Sequence, residues 1–236
     1  MLVTELWRYP VKSMQGERIE RSTVGPAGLA GDRQWGVLDV GTGLTLTARR
    51  EPRLLEAVAR YDEATDTVTV DLPDGTTDLS AWLGRPVRLV RAGGGVRGRY
   101  EIAEDPEDEA GSPWVQWDGP ETTFHDTGST VVSVIATGSL RTWDVRRFRG
   151  NVIVEGVEGA EADLAGRTVT LGTAGATGTR PIDRCVLVTR PQPGGIARDL
   201  DVLRTVARER DGKLGVGLRV TTPGTVAVGD VLTVLD

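Results

Sequence analysis

The sequence predicts a mainly β protein, barrel-like or sandwich-like, with a few short helices. Three observations carry that expectation. Short segments of alternating apolar residues recur along the chain, and the stretches between them are rich in glycine, proline and aspartate. Only the segment after Asp199 and Asp201 holds a helical period for more than two turns.

Taken in order, Leu2 to Val11 alternates and turns at Pro10, giving a first strand. Glu17 to Val24 gives a second, followed by a glycine-rich loop over residues 25–31. Gln34 to Val40 is expected to enter a hairpin through Gly41-Thr42-Gly43 and return along Leu44 to Ala48. Leu54 to Tyr61 and Thr67 to Leu72 read as strands around an acidic turn at residues 62–66. Leu79 to Leu89 and Ala162 to Leu171 echo one another, each a helical turn, a glycine and a strand. Residues 104–113 form an acidic, breaker-rich loop. Val131 to Ile135 and Asn151 to Glu155 are short buried strands, with a helix starting at Ser139 between them. Asp199 or Asp201 caps the helix that runs to about Arg210, with Leu200, Leu203 and Val206 on one face. Gly215 to Val220 and Val226 to Leu235 close the chain as strands around Pro223-Gly224.

Composition narrows the functional classes. The chain has 236 residues, enough for one large core or two small ones, and 39% are hydrophobic. A formal net charge of −6 argues against a general nucleic-acid binder. No apolar run approaches the roughly 20 residues that span a bilayer. The start of the chain lacks the pattern of a signal peptide, and a lone cysteine suits a reducing compartment, so the expected location is cytoplasmic. The arginines cluster, at Arg49, Arg50 and Arg53 and again at Arg146, Arg147 and Arg149. Local cations in an acidic protein suit a pocket for a small anion.

Cys185 is the only cysteine and His125 the only histidine, which excludes both a disulfide framework and a site of several histidine ligands. The thiol lies between Arg180 and Arg184 on one side and the apolar run Val186 to Val188 on the other, a setting expected at the mouth of a buried strand. Positive neighbours in general favour thiolate, the form that binds metals and attacks electrophiles. Elsewhere Tyr9-Pro10-Val11-Lys12-Ser13 offers an ammonium and a hydroxyl on a rigid turn, a pair that suits a phosphate. Arg33, in Gly31-Asp32-Arg33-Gln34-Trp35, and Arg49, in Thr47-Ala48-Arg49, emerge from strand ends where a guanidinium can grip phosphate bidentately. Arg149 and Asn151, two apart on a segment read as extended, are expected to point the same way.

As a set and in this order, the motifs Tyr-Pro-Val-Lys-Ser, Gly-Asp-Arg-x-Trp, Thr-Ala-Arg-x-Glu-Pro-Arg-Leu, Arg-Phe-Arg-x-Asn and Arg-Cys resemble the MOSC-domain proteins with an N-terminal β-barrel domain. That group includes the mitochondrial amidoxime-reducing components and their bacterial relatives. The resemblance implies a β-barrel domain over residues 1–95 and a β-rich MOSC domain over 96–236. It further implies a molybdenum-molybdopterin cofactor between them, with Cys185 as metal ligand and catalytic residue. Lys12, Ser13 and Arg33 would hold the cofactor from the N-terminal side, and Arg149, Asn151 and Arg184 from the other. Thr47 and Arg49 join that group by their motif, and Asp126, Thr127 and Ser129 are placed near the same pocket. A pyridoxal phosphate label also attaches to the family at large.

The implied activity is reduction of N-hydroxylated or N-oxygenated small molecules. No further cysteines are present to hold an iron–sulfur cluster, so electrons are expected from a separate ferredoxin- or flavin-type protein. Two other functions stay open: a sulfur carrier or transferase working through a Cys185 persulfide, and a cofactor-binding module without turnover. The chain departs from its relatives at Gly150, where proline is common, a change expected to matter little. It also departs after the cysteine, where Val188-Thr189-Arg190-Pro191 replaces a stretch containing aspartate, which bears on substrate choice.

Overall fold

The computed structural model describes residues 1–105 and 111–235. Its strands are β1 Val3–Arg8, β2 Glu17–Ile19, β3 Arg21–Gly25, β4 Gly28–Leu29, β5 Trp35–Asp39, β6 Val58–Asp62, β7 Thr67–Asp71, β8 Val87–Arg91 and β9 Arg99–Ala103. They continue as β10 Trp114–Asp118, β11 Val132–Ala136, β12 Val152–Val154, β13 Thr168–Leu171, β14 Ala174–Asp183, β15 Lys213–Thr222, β16 Gly224–Ala227 and β17 Leu232–Val234. The α-helices among the described residues are α1 Leu79–Leu83, α2 Thr137–Leu140 and α3 Asp201–Arg210. The fold is therefore β-rich, as the alternation predicts.

The largest sheet has eight strands in the order β17-β13-β14-β15-β11-β12-β1-β2. Its pairings are antiparallel except for β11 with β12. Those two central strands are buried throughout and, but for Ser133, apolar, because both of their faces are covered. Val132, Val134, Val152 and Val154 enter one core with Leu6, Leu171 and Leu218. Ile135 and Ile153, one residue out of phase, enter another with Phe148, Val188 and Val202 and Val206 of α3. A third core sits under the small sheets β5-β8 and β6-β7 and contains Val11, Met14, Trp35, Val37 and Leu54.

Several sequence expectations need correction. Leu44 to Ala48 turns back as expected but pairs only through a single bridge, Leu38 with Thr45, flanked by Asp39 N to Leu44 O (2.9 Å) and Leu46 N to Val37 O (2.8 Å), and does not continue as a strand. Leu54 to Tyr61 is only half a strand, because Pro52 starts a 3-10 helix, Pro52–Glu56, before β6 begins. The helix expected from Ser139 to Asp144 is the shorter α2, which ends where Arg141 takes a left-handed φ of 51°, and a 3-10 turn follows at Val145–Arg147. On α3 the buried face carries Val202 and Val206, while Leu200 precedes the helix and is exposed. The acidic stretch at residues 104–113 lies between the two strands of the hairpin β9-β10, which the sequence reading did not name, and its residues 106–110 lie outside the described residues. The echo between Leu79 and Leu171 is real. Gly84 (φ 67°) follows α1 before β8, and Gly166 (φ 77°) follows the 3-10 helix Ala160–Leu164 before β13.

Among the described residues no helix is long and apolar enough to cross a membrane.

Candidate functional site

The turn after β1 and the segment before β11 face each other across a cavity of about 440 Å³, within the usual size of a small-ligand pocket. Lys12, Ser13, Arg33, Thr47, Arg49, Arg149, Asn151, Arg184 and Cys185 all line it. The chain thus brings together every site residue that the sequence singled out by motif. Asp126 and Thr127 also line it, whereas Ser129 is not in the wall and faces Thr127 at 3.2 Å between hydroxyls.

Lys12, Arg33, Arg149 and Arg184 are each held in place. Lys12 is buried, and its Nζ donates to Phe124 O at 3.0 Å and to Asp126 Oδ1 at 2.7 Å. It also lies 4.4 Å from the centre of the Tyr100 ring. Burial lowers the Lys12 pKa, Asp126 opposes that shift, and the charges of Arg33 and Arg149 add to it. Ser13 takes a left-handed φ of 69°, and its Oγ accepts from Ala48 N at 2.9 Å. That bond draws the Thr47–Arg49 turn to the pocket although the expected strand there is absent.

Arg33 is fixed by Asp32, which is fully buried and also accepts from Tyr9 N at 2.7 Å. Arg33 Nη2 donates to Arg149 O at 3.0 Å. Arg149 does not sit on extended backbone, as its spacing from Asn151 suggested; its φ is 53°, in the turn three residues ahead of the start of β12. The Arg149 guanidinium covers the Tyr9 ring at 4.3 Å and donates to Met14 O. Its Nη2 is buried with no hydrogen-bond partner among the described residues. Burial, reinforced by the like charge of Arg33, brings its pKa down to about 10. The Asn151 amide is already occupied: Oδ1 accepts from Ser133 N at 3.1 Å, from Ser133 Oγ at 3.0 Å and from Arg33 Nη1 at 3.5 Å, and Nδ2 donates to Trp7 O at 3.2 Å.

Gly150, between them, has a structural role. A Cβ there would lie 2.7 Å from Ile135 Cδ1, so the missing side chain leaves room for the core beneath the site.

Cys185 is half-buried and ends an approach different from the one expected. The strand, β14, comes before it. The apolar run after it folds as a 3-10 helix, Val186–Thr189, in which Val188 N donates to Cys185 O at 3.2 Å. β-branched residues favour strands, but here Arg147 overrides that preference by donating to Val188 O (3.2 Å) and Ala197 O (2.8 Å). Arg184 donates to Phe148 O (2.8 Å) and to Leu214 O. Burial lowers its pKa to about 10, and the adjoining Cys185 sulfur opposes part of that shift.

Two further lining residues were given no site role by the sequence: Arg147, whose motif was read for Arg149 and Asn151, and His125. His125 is buried, its Nε2 has no hydrogen-bond partner, and Asp32 Oδ2 lies 3.6 Å away. Burial first, then the charge of Arg33, push its pKa down to about 4, so the ring is neutral at pH 7. Its position directly before Asp126 was the available signal.

The donor set is informative. No group of three or more His, Cys, Asp or Glu side chains suited to a metal occurs among the described residues. A metal at Cys185 therefore has to bring most of its ligands with it. One soft sulfur, an unsatisfied buried guanidinium nitrogen and several fixed cations fit an anionic, metal-bearing organic cofactor.

A β-rich protein with a cation-lined cleft around one thiol is the class that the fold and site define. The chain belongs to the MOSC family: residues 1–115 match the MOSC N-terminal beta barrel domain and residues 123–233 the MOSC domain. That family is tied to the molybdenum cofactor. Over 57 residues the chain is 44% identical to the molybdenum cofactor sulfurase of Botryotinia fuckeliana, a match spanning 23% of this chain and 7% of that protein. Among solved structures, the YuaD protein of Bacillus subtilis aligns over 98% of this chain and 93% of its own, at 11% identity and a TM-score of 0.44. YiiM of Geobacillus stearothermophilus aligns over 58% and 72%, at 15% identity and a TM-score of 0.38.

Proposed function

We propose that the chain binds a molybdenum-pterin cofactor in this cleft and acts as an oxidoreductase that reduces N-hydroxylated or N-oxygenated small molecules. The observation that carries the reading is the convergence on one cavity of a single half-buried sulfur and an orphaned guanidinium nitrogen. When bound, the cofactor supplies two-electron oxygen-atom transfer. Cys185 would be its one protein ligand. Lys12, Arg33 and Arg149 would hold its anionic end, Lys12 and Arg149 from buried positions where water does not compete. Ser13, Thr47 and Arg49 would close the N-terminal side, with Arg184 beside the sulfur. Asn151 would act by locking β1, β11 and β12 under the site. Electrons would come from a separate ferredoxin- or flavin-type protein.

One observation supports a second reading. The 57-residue match is to a molybdenum cofactor sulfurase, and Cys185 has no second cysteine to resolve a persulfide. A carrier that hands sulfur from Cys185 to a cofactor or cluster under assembly is consistent with both.

The test is metal, pterin and sulfane-sulfur analysis of protein made in a host that synthesises the cofactor. The oxidoreductase reading expects about one molybdenum per chain, loss of that metal in Cys185→Ala, and benzamidoxime reduction with an artificial electron donor. Sulfane sulfur on Cys185 without molybdenum would replace it with the carrier reading.

A further inference from the structure

We propose that Arg180 selects substrates carrying an anionic group, such as a carboxylate, at the mouth of the cavity. This rests on the reading above that a small molecule is turned over beside Cys185.

The local backbone explains why Arg180 faces the site. On β14 and β15, Gly178 is opposite Leu218 and Pro181 is opposite Val216, so β14 holds one extra residue between those pairs. Such a bulge re-aims side chains and is common beside active sites. Thr179 pins it from within, with Oγ1 donating to Gly217 O at 3.0 Å and lying 3.1 Å from Thr130 Oγ1. Pro181 fixes the following backbone. Arg180 is left exposed, on the wall of the same cavity as Cys185.

Its charge is also available. Lys12 is joined to Asp126, Arg33 to Asp32, and Arg184 to the carbonyls of Leu214 and Phe148. Arg180 has no hydrogen bond or ion pair among the described residues. Of the acidic groups on the same wall, Asp126 is held by Lys12 at 2.7 Å and Glu101 by Arg50 at 2.9 Å, while Asp183 stands opposite Lys213, whose own charge is taken by Asp211 at 2.7 Å. Among the described residues, seven cationic side chains line the cavity against three acidic ones, so the charge facing it is net positive.

Depth separates this cation from those assigned to the cofactor. Lys12 and Arg149 are buried, which suits an anion that stays, while Arg180 stands in solvent, which suits a group that arrives and leaves. A hydrogen-bonded contact to an ionised group changes affinity by about tenfold or more.

The experiment compares benzamidoxime with its 4-carboxy derivative on the cofactor-loaded protein and on loaded Arg180→Gln, by titration calorimetry and by KM. The wild type is expected to bind the carboxylate about tenfold more tightly than the neutral compound. Arg180→Gln is expected to lose that preference while retaining wild-type molybdenum and pterin content, and Arg180→Lys to keep part of it. An equal preference in wild type and Arg180→Gln overturns the inference, and so does binding of neither probe by the wild type. Loss of molybdenum and pterin from Arg180→Gln also overturns it, by making Arg180 a cofactor contact. Carboxylate binding that depends on Arg180 without turnover of either compound upholds the anion site and removes the proposed reaction instead.

Discussion

Lys12 Nζ and Asp126 Oδ1 lie 2.7 Å apart although 114 residues separate them in the chain. The pair ties the turn after β1 to the segment entering β11 and so sets the width of the cleft between them. Desolvation pushes the Asp126 carboxyl up, but the Lys12 charge and hydrogen bond outweigh it and hold the group below the usual carboxylate range. Lys12→Met is expected to raise the Asp126 pKa, read by carbon-13 NMR titration. Retained pterin is expected to fall by tenfold or more in the same variant. An unmoved Asp126 titration would show that the pair does not govern the site.

His125 makes the protein sensitive to mild acid. Its folded pKa is about 4 against an unfolded value near 6.5, so between these limits the unfolded chain binds more protons. Stability is then lost as the pH falls from 6.5 to 4, by about 3 kcal/mol in total. Arg33 and Lys12 depress the value while Asp32 and Asp126 raise it, so the net sign comes from burial. Denaturant melts of His125→Asn should show a flatter dependence over this interval than the wild type.

Arg149 is expected to cost stability in return for holding the proposed cofactor. Its guanidinium is buried beside Arg33 with one nitrogen unpaired. Replacing such an ion by an apolar side chain of similar length is neutral or favourable by about 1 kcal/mol or more. Arg149→Met should therefore melt at or above the wild-type temperature without cofactor, yet fail to retain pterin. A lower melting temperature of the apo variant would mean that its bond to Met14 O outweighs desolvation.

Gly215 links the fold to the sulfur. It has a φ of 82°, and a Cβ there would lie 3.0 Å from both Arg184 Nη2 and Val134 O. Gly215→Ala is expected to cost roughly 1–3 kcal/mol through backbone strain. The displaced Arg184 adjoins Cys185, so the rate of alkylation of the thiol should change as well. Alkylation at the wild-type rate, with only stability reduced, would confine the effect to packing.

Much of the site was legible because its residues fall in short ordered motifs. Lys12, Arg33, Arg149 and Cys185 come from four separate turns, yet each motif marks its own turn by a proline, a glycine or a run of arginines. What the sequence concealed has a tertiary cause. The strand-like run after Cys185 coils because Arg147 captures the carbonyl of Val188, a contact made across 41 residues. In the hairpin β9-β10, Arg99-Tyr100-Glu101-Ile102 does alternate, but Trp114-Val115-Gln116-Trp117-Asp118 opposite it does not, so the pair of strands did not stand out. Asn151 resembled a ligand-facing amide, but it is taken up by Ser133, Trp7 and Arg33, residues that no local pattern places beside it.

The pairing of Leu6 with Val152, and of Ser22 with Val226, has a consequence for how this molecule is made. In the large sheet β1 has as a neighbour β12, about 145 residues later in the chain, and β3 pairs with β16, about 200 residues later. Closing such long loops precedes any gain from the contacts they allow, which slows folding. The opening strands must therefore be kept from strangers during translation, and cutting the gene between its two family modules would leave each product with a raw sheet edge.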